Sequence, residues 1–269
     1  MAKKINILTI CYTLFVVLLL FSSFLDGPVF YLFYFLTFAL PVALGLFMSR
    51  DDEVEKAKYL TITSSGAEKF LPFVFPTIAL TMLVSFITSV VIYSLTGKTS
   101  SIDLGDSYVL ALIMSALLPA IFEEALFRYL PLRLLAPHSE KTAIFVSAFF
   151  FSLVHLDLFT IPYAFVGGAT FMFLDIVTGS IVPSIIIHFL NNALSVTMYF
   201  LADSPIWVLG IYAIVFLLTV ISIMIICAWK EKYKDSFLTV LNDREKIKIP
   251  VQMILFAVLA IVTSILSLR

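Results

Sequence analysis

The chain reads as long apolar runs separated by short polar ones. A helix needs about 20 apolar residues to cross the hydrocarbon of a bilayer. On that measure spans are predicted near 5–25, 29–48, 72–95, 107–130, 143–160, 162–178, 181–201, 205–229 and 250–268. The sixth and seventh are short and closely joined, and one of the nine can be re-entrant, so about eight to nine transmembrane helices are expected. The predicted fold class is all-α, a polytopic transmembrane helical bundle. Three blocks follow: N-terminal helices over 1–106 (about three), a core over 107–201 in which polar residues interrupt the spans, and C-terminal helices over 202–269. Pro41, Pro76, Pro119, Pro162 and Pro183 fall in or at spans, where neighbouring helices can satisfy the backbone groups they free. The run from Ala164 to Gly168, Ala-Phe-Val-Gly-Gly, has a small residue at each end and predicts a close helix contact.

Composition removes the soluble alternatives. The chain is 61% hydrophobic and 13% charged, against roughly 45–50% apolar in ordinary soluble domains, which leaves little for a separate soluble domain. A net charge of −1 gives no reason to expect nucleic acid as a partner. The lipid bilayer is the expected environment. Ala2, Lys3 and Lys4 precede the first apolar run, and no clear small-x-small cleavage site follows it, so it is read as a retained helix rather than a signal peptide. Cations set the orientation. Arg50, Lys56, Lys58 and Lys69 lie between spans two and three, and Arg133 and Lys141 between four and five. Lys230, Lys232, Lys234, Arg244, Lys246 and Lys248 lie between eight and nine, while the alternate loops are nearly free of Lys and Arg. The N-terminus is therefore expected in the cytoplasm of a cell-membrane protein, with the mixed-charge loop 49–71 solvated there and Trp229 as an interface anchor. Cys11 and Cys227 sit in apolar runs and are read as small buried hydrophobes.

Four polar groups break the later spans: Glu123, Glu124 and Arg128; His155; His188 with Asn192; and Asp175. An ionisable side chain at membrane depth marks a functional site by default. Residues four apart share a helix face, and neighbours point about 100° apart. Glu124 and Arg128 are thus expected to pair, His188 and Asn192 to aim at one point, and Glu123 to need a partner on another helix. Glu123 and His155 each lie about 20 Å along their helices from the same intervening turn, so they can meet. Asp175, near a helix end, is expected to reach the interface, and His138 to lie in an exposed loop. A buried Glu is a workable general base, a His can share its water, and a His with an Asn can donate to an oxyanion. Glu123, His155 and His188 could instead hold zinc, although no carboxylate is evident to orient the histidines. No cofactor is firmly expected.

These motifs, Glu123-Glu124-Ala-Leu-Phe-Arg128, Phe151-Ser-Leu-Val-His155 and His188-Phe-Leu-Asn-Asn192, resemble those of the type II CAAX prenyl endopeptidases and bacteriocin-processing or immunity proteins, the CPBP or Abi family. The lead-in Thr178-Gly-Ser-Ile-Val-Pro-Ser-Ile is similar too, and the likeness covers about 107–201. It implies a helical intramembrane endopeptidase, glutamate-dependent or a metalloprotease, acting near the C-terminus of a membrane-associated, for instance prenylated, protein or peptide. By resemblance Glu123 activates water with His155, His188 and Asn192 form the oxyanion hole, and Glu124 and Arg128 shape the site or bind the substrate. The site would open toward the cytoplasm. The alternative is a non-catalytic protein conferring immunity to a bacteriocin or toxin by binding it.

Overall fold

The computed structural model describes residues 2–22, 24–25, 27–50, 59–100, 103–241 and 251–267. The described residues form helices and no strand. In chain order they are α1 (Ala2–Ser22), α2 (Gly27–Met48), α3 (Ser64–Thr96), α4 (Tyr108–Leu134), α5 (Glu140–Leu153), α6 (Ile161–Thr178), α7 (Val182–Phe200), α8 (Pro205–Ala228), α9 (Lys230–Leu241) and α10 (Val251–Ser267). Among the described residues five helices are long and apolar enough to cross a membrane: Lys3–Ser22, Ser64–Thr96, Tyr108–Leu134, Ile161–Thr178 and Pro205–Ala228. This is an integral membrane protein. Each remaining predicted span also has a helix: α2 runs for 22 largely apolar residues and α10 for 17. α5 is only 14 residues long, and α7 carries Ser184, His188, Asn191 and Asn192.

Local signals set the boundaries. Thr63, Ser107 and Ser139 accept from the backbone N–H groups of Gly66, Leu110 and Thr142 at the starts of α3, α4 and α5, filling donors that a helix start leaves open. Gly97 and Gly179 end α3 and α6 in the left-handed region, with φ of 69° and 68°. Two short π segments interrupt α4, Ile113–Leu117 and Ala125–Tyr129. Each lies just before a proline. Pro119 has no N–H for the carbonyl of Ser115 four residues earlier, and Pro131 has none for Phe127. Both carbonyls are taken from the side: Asn192 Nδ2 on α7 donates to Ser115 at 3.2 Å, and Ser147 Oγ on α5 donates to Phe127 at 2.5 Å.

Four boundaries differ from the sequence reading. Helix α3 starts at Ser64 rather than near 72, because Thr63 caps it inside the stretch read as loop. Helix α5 stops at Leu153, which leaves His155 in the turn beyond it. Arg133, counted as a loop cation, is buried in the last turn of α4, where its Nη2 donates to the Ser49 carbonyl at 3.4 Å. The segment after α8 forms the short helix α9, held by Tyr233, whose ring meets Phe73 and whose hydroxyl donates to the Glu68 carbonyl at 3.4 Å. Cys11 is buried as expected, but Cys227 is exposed on α8. Trp229 is about half exposed beside Lys230. The charges at 51–58 and at 244, 246 and 248 lie outside the described residues.

Helices α5 and α6 pack against each other; α6 also packs on α3, and α7 lies against α6 and α4. The close contact expected near Gly168 is present. A Cβ there would lie 3.1 Å from Ala148 Cα and 3.2 Å from Phe151 Cδ1, too tight on the backbone side to absorb. Gly168→Val is therefore expected to destabilise the protein by about 1–3 kcal/mol through overpacking, read as a lower thermal midpoint in detergent. Gly210→Ala, with nothing within 4 Å, should not lower it.

Candidate active site

Glu123 and Glu124 lie on the turn of α4 that precedes the second π segment. Being adjacent, they diverge. Glu124 is fully buried, and Arg128, also fully buried, sets its Nε 3.1 Å from Oε2 of Glu124. This ion pair lacks hydrogen-bond alignment, so charge rather than directed bonding holds it. On its other oxygen, Oε1, Glu124 accepts from His188 Nδ1 of α7 at 2.7 Å. The carboxylate thus binds both the arginine on its own helix and the histidine on another.

The guanidinium of Arg128 has an unusual environment. Among the described residues its Nη1 and Nη2 have no hydrogen-bond partner. Its central carbon instead lies 4.1 Å from the centre of the Phe151 ring and 5.4 Å from that of Phe171. A desolvated cation over a ring face gains about 2 kcal/mol or more, which offsets part of the missing hydrogen bonding. Phe151 also meets His155 and His188 edge-on, at centroid distances of 5.1 and 5.7 Å. One phenylalanine of α5 therefore touches three of the polar residues of the site.

The histidine tautomers follow from their partners. A carboxylate paired with arginine only accepts, so Nδ1 of His188 carries hydrogen and Nε2 faces Glu123 at 3.8 Å. His155 Nδ1 lies 2.7 Å from the Phe151 carbonyl, which also only accepts. Its Nε2 is therefore left for solvent or substrate, and the residue is exposed. Leu156, immediately after, has φ of 51°, and no other described non-glycine residue has a positive φ; this conformation turns the chain away from α5. No direct hydrogen bond joins Glu123 to His155.

The structure brings Glu123, Glu124, Arg128 and His188 together as one cluster. Asn192 stands one turn on from His188, bound to the Ser115 carbonyl. His155 reaches the cluster through the Phe151 ring. Asp175 departs from the sequence reading: it is fully buried rather than interfacial, and Oδ1 accepts from the Ser184 backbone N–H at 3.1 Å. It serves the first turn of α7, where N–H groups lack helical partners. Burial of the α6–α7 junction, invisible in the sequence, accounts for the difference. His138 is exposed in its turn as expected. Phe171 and the proline-freed carbonyl of Ser115 were not identified from the sequence; the signal for the latter is a proline four residues on.

A carboxylate does orient a histidine here, contrary to the sequence reading. Even so, among the described residues no three His, Cys, Asp or Glu side chains form a group that could hold a metal ion. Glu123 and His188 approach each other, but the candidate third ligand, His155, is not gathered with them.

Glu124→Ala leaves Arg128 and the Nδ1 of His188 buried without their anion. Breaking one side of a buried charge pair typically destabilises by about 3–5 kcal/mol. That loss is expected on chemical unfolding in detergent and should be far larger than for Glu123→Ala, because Glu123 is 18% exposed.

Comparison with curated proteins found no match, and comparison with solved structures found none. Residues 105–194, about a third of the chain, match the family described as type II CAAX prenyl endopeptidase Rce1-like. That segment runs from the turn before α4 into α7 and includes Glu123, Glu124, Arg128, His155, His188 and Asn192. The matched family is one of CAAX-type endopeptidases, consistent with the CPBP or Abi resemblance of the motifs. The segment that is similar to the Rce1-like family is thus the one that holds the buried charge cluster of α4 and α7.

Proposed function

We propose that this protein hydrolyses a peptide bond near the C-terminus of a prenylated or otherwise membrane-associated protein, with Glu123 as the general base. The observation that carries this reading is the contrast between two adjacent carboxylates. Glu124 is fully buried and engaged by Arg128 and His188, whereas Glu123 is partly open and 3.8 Å from His188 Nε2. Only Glu123 has room to hold a water.

Glu123 takes a proton from that water as the oxygen attacks the carbonyl carbon, and the carbonyl π pair moves onto its oxygen. His155 holds the same water through its uncommitted Nε2. The oxyanion accepts from the free N–H of Asn192 and from His188 Nε2–H. Because Nδ1 of His188 already donates to Glu124, donation from Nε2 requires the imidazolium form. Collapse of the tetrahedral adduct breaks the C–N bond, and the proton held by Glu123 passes to the departing amine. Glu124 and Arg128, both fully buried, shape the site and do not touch substrate. We route no step through a metal, since the described residues offer no three-ligand group. The basic loops support a site opening to the cytoplasm.

Purified protein in detergent is expected to cleave a peptide ending in farnesyl-Cys-aliphatic-aliphatic-X. Glu123→Gln should abolish cleavage while the thermal midpoint stays close to wild type; retained cleavage overturns the role of Glu123. Asn192→Ala is expected to lower kcat by about 10²–10³, the usual loss for one oxyanion donor. Activity should also survive dialysis against a chelator. Loss restored only by zinc would overturn the metal-free route.

A further inference from the structure

The N–H that Asn192 offers is aimed by a chain of hydrogen bonds leading out of the matched segment to α3. Asn192 Nδ2 donates to the Ser115 carbonyl at 3.2 Å, Asn191 Nδ2 donates to Asn192 Oδ1 at 3.3 Å, and Thr81 Oγ1 donates to Asn191 Oδ1 at 2.9 Å. Thr81 is only 4% exposed and lies outside 105–194. Gly167 of α6 leaves room for it, since a Cβ there would stand 3.1 Å from Thr81 Cγ2.

The polarity of this chain is determined from one end. A carboxamide can present either its oxygen or its nitrogen to a neighbour. The Ser115 carbonyl only accepts, so it must face the nitrogen of Asn192. That turns the oxygen of Asn192 to Asn191, which must answer with its own nitrogen. Asn191 then shows its oxygen to Thr81, and only a hydroxyl proton can meet it. Thr81 has one such proton, and the Ile78 carbonyl at 2.8 Å competes for it. Giving it to Asn191 satisfies every member of the chain. Among the described residues the second N–H of Asn192 has no partner.

We infer that Thr81, through Asn191, is a positioning residue that holds the Asn192 carboxamide, whose polarity the Ser115 carbonyl sets, in one plane with its second N–H toward the site. This rests on the proposed oxyanion role of Asn192. Without the Thr81 hydroxyl, Asn191 can turn its own oxygen toward Asn192 Oδ1, the donor to that oxygen is lost, and the Asn192 amide, still held by Ser115, rocks so that its second N–H leaves the oxyanion for part of the time.

The test compares Thr81→Val, Thr81→Ser, Asn191→Ala and the Thr81→Val/Asn191→Ala double variant on the farnesylated peptide. Thr81→Val is expected to lower kcat about three- to tenfold, the effect of one neutral hydrogen bond, with KM unchanged. Thr81→Ser should restore wild-type kcat. The double variant should be no slower than Asn191→Ala, because both changes break one chain. Wild-type kcat in Thr81→Val, failure of Thr81→Ser to restore it, or multiplying losses in the double variant would each overturn the inference while leaving the endopeptidase reading intact. Full kcat in Asn192→Ala would overturn the oxyanion role of Asn192 and this inference with it, and no cleavage by the wild type would overturn the endopeptidase reading itself.

Discussion

The arrangement depends on one buried carboxylate with two cationic or protonated neighbours. Glu124 is fully enclosed, and an ionised carboxylate in that position is tolerable only because Arg128 supplies the opposite charge and His188 supplies a hydrogen bond. The arginine comes from the same helix one turn on, so helical periodicity alone supplies it. The histidine comes from α7, so the contact also docks one helix on another. Because Glu124 takes the proton-bearing Nδ1, the opposite nitrogen of the imidazole has to face Glu123. The step of about 100° between adjacent residues on a helix thus separates a fully buried glutamate from a partly open one.

Proline plays a related part in α4. In lipid a backbone carbonyl without a donor is costly by several kcal/mol, and Pro119 and Pro131 each remove a donor. The structure meets both losses with side chains from other helices, Asn192 and Ser147. These prolines act less as kinks than as acceptors opened at chosen depths. One of them lies beside the cluster, and the asparagine that answers it belongs to the site.

The parts of this design legible in sequence are those with a helical period. The Glu124–Arg128 pairing, the shared face of His188 and Asn192, the divergence of Glu123 and the tight contact at Gly168 all follow from spacing on a helix. Less accessible was whatever depends on where a helix ends or on what crosses between helices. His155 was read inside a span, yet α5 stops two residues earlier. Asp175 looked interfacial because it is near a helix end, but the start of α7 closes over it. Arg133 looked like a loop cation until α4 extended through it. The Glu124–His188 bond joins residues 64 apart in sequence, and no pattern along one helix announces it.

The rings around Arg128 carry a consequence of their own. A guanidinium in water, or among hydroxyls and amides, is surrounded by dipoles that turn when nearby charge changes. Phe151 and Phe171 present fixed quadrupoles, held edge and face by packing. They attract the cation but cannot rotate to follow a charge appearing elsewhere. The electric field that Arg128 projects toward Glu124 and His188 is therefore much the same whatever charge comes and goes beside them. Such a cluster has little reorganising left to do, because the aromatic cage was set in place when the chain folded.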